Sequence, residues 1–206
     1  MTEAERDLDF IIVKNIGDLE ASLKRAKNEI DVRLNDEAWD TLKQALGDSS
    51  WYFDDDEGPS ESWFAPRDWL TNDDSGEADA DPWFRLKPLD DGKRKFDTWV
   101  AHYVAAASER QQMAIVWCWH RFYVGDYKAA STKAQKELQT MRDLGFRQDG
   151  RDLFFPIAFD ADALATGFQE GELKTALEPI SRAASVLARA IEPFSAFRDA
   201  LLELAR

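Results

Sequence analysis

Cysteine is almost missing from this chain. Cys118 is the only one, so no intramolecular disulfide can form, and a reducing compartment is the expected setting. Histidine is scarce too. With His102, His120 and Cys118 as the whole supply of soft ligands, a closed zinc site is not expected. The chain has no Gly-x-Gly-x-x-Gly, no Gly-x-x-x-x-Gly-Lys-Ser/Thr and no Gly-x-Ser-x-Gly. The start, Met1-Thr2-Glu3-Ala4-Glu5, lacks the basic residues and apolar run of a leader, and no stretch approaches a membrane span of roughly 20 apolar residues. These absences lead to the expectation of a cytoplasmic protein with no membrane association, no cofactor and no resident metal.

Positive charge is also in short supply. Twenty-six Lys and Arg face 40 Asp and Glu, a formal net charge of −14. Such a chain repels nucleic acid and anionic membranes, so direct nucleic-acid binding is not expected and any charged partner should be basic. The excess is concentrated. Residues 48–81 hold twelve acids and one base, Arg67, for a net −11, which leaves −3 for the other 172 residues. Aromatics interleave with those acids: Trp51, Tyr52, Phe53, Trp63, Phe64 and Trp69. Such charge runs are most simply solvated loops, here Asp54–Ser62 and Thr71–Pro82, with Gly58-Pro59-Ser60 and Asn72–Gly76 as turn signals. The functional reading is a steering and anchoring surface for a basic protein.

The length of 206 residues suits a single domain spanning 1–206, with 48–81 as an acidic, loop-rich segment within it. Leu8–Val13 reads as a short strand. Asp18 reads as a helix N-cap, followed by a stripe of Leu19, Leu23, Ala26, Ile30 and Leu34 at helical spacing. Asn35 or Asp36 caps a second helix carrying Trp39, Leu42 and Leu46, which Gly47 ends. Three segments beginning at Trp51, Trp63 and Trp83 read as aromatic strands, and their short links demand antiparallel pairing. Asp97–Ala107 reads as a buried helix and Met113–Val124 as a central strand. Tyr127–Leu144 reads as a polar helix closed by Gly145, and Asp149-Gly150 as a hairpin turn. From Asp160 onward the chain is helical and alanine-rich, with Ile180, Leu187, Ile191, Phe194 and Leu201 as its main stripe. Pro179 and Pro193 should start new helical segments or kink one long helix. The expected fold class is therefore α+β: an antiparallel sheet with central aromatic strands, packed by N-terminal helices and by Ala-rich C-terminal helices.

Several stretches of the sequence have the residue order of a catalytic site. Trp117-Cys118-Trp119-His120 could pair a nucleophile with a base, but a cysteine among aromatics in a strand is ordinarily an inert hydrophobe. His102 and His120 read as core or edge histidines. Asp160 or Asp162 with Glu172-Leu173-Lys174 has the residue order of metal-dependent nucleases, but here the Glu-x-Lys opens a helix instead of lying on a strand. Asp54–Glu57 and Asp73-Asp74 could hold Mg²⁺ or Ca²⁺ but do not fit a calcium loop. No catalytic residue is assigned. The expectation is a non-catalytic interaction domain of inhibitor, immunity-type or nucleic-acid-mimic character. Its basic partner would be steered by Asp54, Asp55, Asp56, Glu57, Asp73 and Asp74 and anchored by Trp63 and Trp69. The alternatives are a metal-assisted hydrolase built on the clustered carboxylates, and a structural subunit that homodimerises through residues 180–204.

Overall fold

The computed structural model describes residues 2–47, 49–54, 62–72, 78–89, 96–106, 111–119, 124–150 and 152–204. The chain starts with α1 (Glu3–Lys14) and α2 (Ile16–Arg25). It continues through one wide π turn (Ala26–Ile30) into α3 (Asp31–Leu46). The expected strand at Leu8–Val13 is thus the middle of a helix. A capping box sets it: the Thr2 hydroxyl accepts from the Glu5 N–H, and the Glu5 side chain accepts from the Thr2 N–H. Asp18 lies in the first turn of α2 and does not cap it. No new helix begins at Asn35 or Asp36, because α3 runs unbroken from Asp31 until Gly47, whose φ of 80° ends it.

The sheet is built from β1 (Trp51–Asp54), β2 (Trp63–Pro66), β5 (Trp83–Pro88), β6 (Met113–Cys118), β7 (Arg147–Asp149) and β8 (Asp152–Ile157). Its order is β1-β2-β5-β6-β8-β7, and every neighbouring pair is antiparallel. Between β2 and β5, a 3₁₀ turn (Arg67–Trp69) leads into the short ribbon β3 (Thr71–Asn72) and β4 (Ala78–Asp79). The stretch expected as a plain loop, Thr71–Pro82, therefore contains paired strands. β6 stops at Cys118, well before Val124, where α5 (Val124–Lys133) begins. The polar helix is two, α5 and α6 (Gln135–Asp143), broken at Ala134. The β7–β8 hairpin pairs Asp149 with Asp152, so its two-residue connection is 150–151, one residue later than expected. Gly150 supplies the positive φ of 59° there.

α4 (Trp99–Val104), α7 (Ala161–Glu170) and α8 (Glu178–Leu204) complete the fold. Pro179 sits in the first turn of α8, and Pro193 is carried inside the helix without ending it. α8 packs on α3, α5, α6 and β8. Period-two alternation gives the sheet two faces. Trp51, Phe64, Phe84, Leu86, Met113, Ile115, Trp117 and Leu153 point to the helices, where they meet Leu34 and Leu42 of α3 and the α8 stripe in one cluster. Ile180, Leu187, Phe194 and Leu201 are fully buried there. The stripe is thus taken up by the chain's own core, the docking expected ahead of its use as a dimer face. Phe194 sits at the centre, its ring 5.0 Å from Phe146, 5.1 Å from Phe84 and 5.8 Å from Trp117. Among the described residues, no helix is long and apolar enough to cross a membrane.

Candidate functional site

The outer face of the sheet carries the residues that the sequence placed at a partner surface. Because alternate residues point opposite ways, Trp51 and Phe53 of β1 face the helices while Tyr52 and Asp54 face outward. On β2, Phe64 goes inward, and Trp63 and Ala65 go outward. The register sets Asp54 opposite Trp63 and Tyr52 opposite Ala65. The Tyr52 and Trp63 rings lie 5.2 Å apart. The exposed Arg67 guanidinium stands 6.0 Å over the Tyr52 ring. Trp63 is half-buried against Ala65, Leu70, Ala80, Trp83 and Cys118. This outer apolar cluster fixes the indole in place while part of it meets solvent. A rigid, partly exposed aromatic beside a carboxylate loses little conformational freedom on binding, which suits it to anchoring a partner.

Trp69 has a different role. Only 4% of it is exposed. The 3₁₀ turn after β2 swings it under the sheet, where it stacks 5.6 Å from Phe84. Its indole N–H donates to the Ser195 hydroxyl at 3.1 Å, and Arg198 covers its ring at 5.1 Å. It joins the β2–β3 connection to α8 and does not stand on the surface. Asp55, Asp56, Glu57, Asp73 and Asp74 lie outside the described residues, so of the eight expected site residues the structure brings together only Asp54 and Trp63. Tyr52 and Arg67 join them. The alternation Trp51-Tyr52-Phe53-Asp54 was the available signal for Tyr52.

The candidate catalytic groups are engaged structurally. Cys118 is half-buried, its thiol directed at the Val116 carbonyl at 3.7 Å. Burial pushes its pKa up, against the pull of Lys87 and Arg85, so the thiol form is favoured over the nucleophilic thiolate. His102 Nδ1 lies 2.8 Å from the Gln111 carbonyl, and the ring sits edge-on to Phe96 at 4.9 Å. His120 lies outside the described residues. Asp160 caps α7, its Oδ1 accepting from the N–H groups of Asp162 at 2.9 Å and Ala163 at 3.0 Å. Glu172, Leu173 and Lys174 fall in the link between α7 and α8, with Leu173 buried. Among the described residues, no three His, Cys, Asp or Glu side chains converge as a metal would require.

Two concavities are lined by described residues. One, of about 10 Å³, is enclosed by Asn35, Ala38, Trp39, Leu86, Trp99 and Tyr103. Asn35 Oδ1, Trp39 Nε1 and the Tyr103 hydroxyl there have no hydrogen-bond partner among the described residues. Its size suits one water molecule and no substrate. Beside it, the buried Asp31 accepts from the N–H groups of Trp99 and Val100, both at 2.8 Å, and so caps α4 from 68 residues away. The other is an open groove of about 380 Å³ lined by Arg142, Phe146, Arg147, Gln148 and Gly150. Arg142 there donates to Gln148 at 2.6 Å. It lies at β7, the sheet edge opposite β1. No protein-family model, curated protein or solved structure matches this chain at a significant level.

Proposed function

We propose that the chain is a non-catalytic interaction domain that engages a basic protein surface through the outer face of β1 and β2. The observation that carries the reading is the pairing of Asp54 with the half-buried Trp63 beside Tyr52, at the two strand ends between which the sequence runs through Asp55, Asp56, Glu57 and Glu61. Trp63 and Tyr52 supply rigid contact area. Asp54, with Asp55, Asp56, Glu57, Asp73 and Asp74, supplies the field that steers a basic partner and raises its rate of encounter. Inhibition, immunity and nucleic-acid mimicry all operate through such a surface. The same reading places the protein in the cytoplasm, which its single, half-buried cysteine supports.

The test is capture of binding proteins on the immobilised chain, with low-salt and then high-salt elution. It is run in parallel with Trp63→Ala and with a variant that reverses charge at 54–57. The expected result is a basic protein that leaves at high salt and is lost from both variants. Trp63 packs in the small outer cluster and not in the main core, and circular dichroism and Tm of the Ala variant separate loss of binding from loss of fold. Equal capture by all three chains would refute the assignment.

A further inference from the structure

We infer that the N-terminal helical arm pairs with the same arm of a second copy as a two-stranded coiled coil, an interface separate from the acidic face. α1 and α2 contain no buried residue. Yet the arm exposes a succession of large apolar side chains, among them Leu8 at 56%, Ile16 at 50%, Leu19 at 46% and Leu23 at 42%. A helix gains most of its stability from packing an apolar face, and among the described residues nothing buries a side chain of α1 or α2. The helical ladder nonetheless runs on through Asn15, whose N–H reaches the Ile11 carbonyl at 3.1 Å and whose carbonyl accepts from Leu19 at 3.0 Å.

The spacing of the apolar residues identifies the occupant. Ile12, Ile16, Leu19, Leu23, Ala26 and Ile30 follow at intervals of four, three, four, three and four. Alternation of three and four is the seam of a coiled coil, in which each residue meets its counterpart on a facing helix. The order of intervals reads the same in both directions. Two parallel copies set each residue against itself. Two antiparallel copies set Ile12 against Ile30, Ile16 against Ala26 and Leu19 against Leu23. Every layer is apolar either way, so the seam is complementary to itself. After Ile30 the interval changes to four again, and the π turn over Ala26–Ile30 passes the stripe on to the buried Leu34 of α3.

Charge permits the pairing. The whole chain carries −14, which opposes self-association, but residues 12–30 hold three acids and four bases, a net +1. The positions flanking the seam bear Glu20, Lys27 and Glu29 with the uncharged Val13, Asn15 and Ser22. Flanks of one sign would call for a foreign helix of the opposite sign, and these have both signs.

Sedimentation equilibrium of the full chain tests the proposal, with Leu19→Asp/Leu23→Asp as the seam variant and Ala21→Asp as a variant on the opposite side of the same helix. All three positions are exposed and outside the core, so the body of the fold is unaffected. The expected result is twice the chain mass at micromolar concentration for the native chain and for Ala21→Asp, and a monomer for the seam variant. Helical circular dichroism should also fall as the native chain is diluted. A native chain that stays monomeric overturns the inference, and co-flotation of that monomer with phosphatidylcholine vesicles would assign the arm to a membrane surface. A dimer that survives the seam substitutions, or is lost equally with Ala21→Asp, also overturns it.

Discussion

Phe194 and Phe10 allow the same substitution to be made in two environments of one chain. Phe194 is fully buried, with three aromatic rings packed around it at 5.0, 5.1 and 5.8 Å. Phe194→Ala removes a ring from water-free surroundings and leaves a cavity that the rigid neighbours Trp117, Phe84 and Phe146 fill poorly. Transfer and cavity terms together give a cost of about 3–5 kcal/mol. With a urea slope of roughly 2–3 kcal/mol/M, the unfolding midpoint should fall by about 1–2 M. Phe194→Leu keeps most of the volume and should cost about half as much or less. Phe10 is 66% exposed, and Phe10→Ala should stay within about 0.5 kcal/mol. Urea titration followed by tryptophan fluorescence measures all three. A Phe194→Ala midpoint close to that of Phe10→Ala would refute the packing of α8 against the sheet as described.

Three further expectations follow from the structure. Asp31→Ala leaves two α4 N–H groups without their charged acceptor and should cost about 2–4 kcal/mol in the same titration, with Asp31→Asn, which keeps one acceptor, costing less. Burial pushes the Tyr127 hydroxyl up to about 12 from an ordinary value of 10.0, and burial together with the charge of Asp31 raises Tyr103 as well. Both groups hold their protons more tightly in the folded than in the unfolded chain. Their contribution is therefore complete below about pH 10 and is lost as pH rises through the folded values, so Tm should drop above that point and Tyr127→Phe should reduce the drop. Sub-millimolar Mg²⁺ or Ca²⁺ should leave Tm unchanged. A rise that grows with ion concentration would favour the metal-assisted hydrolase instead.

Much of the fold is legible in the sequence because its signals are local. The Trp-led strands, Gly47 as a stop and the α8 stripe come from periodicity and turn chemistry, as do the apolar positions Leu34, Trp39 and Leu42, although Asn35 and Asp36 suggest a helix start where α3 runs on. Leu8–Val13 misleads because five apolar residues in a run of six, broken only by Asp9, suit either a strand or a helix, and the decision comes from the Thr2–Glu5 capping box and the continuing seam. Pro193 looks like a break but is carried inside α8, where the adjacent Phe194 is locked in the core. Trp63 and Trp69 look alike in the sequence. Their fates divide because a 3₁₀ turn between them sends one to the outer face and the other under the sheet. Asp31 was invisible as a cap, since the N–H groups it accepts from lie 68 and 69 residues away.

Capture at low and high salt by the native chain and by Trp63→Ala decides whether Asp54 and Trp63 form part of a surface for a basic partner. One basic protein should be held at low salt, released at high salt and absent from the variant. Capture of nothing by the native chain, or of the same protein by both, would contradict that assignment.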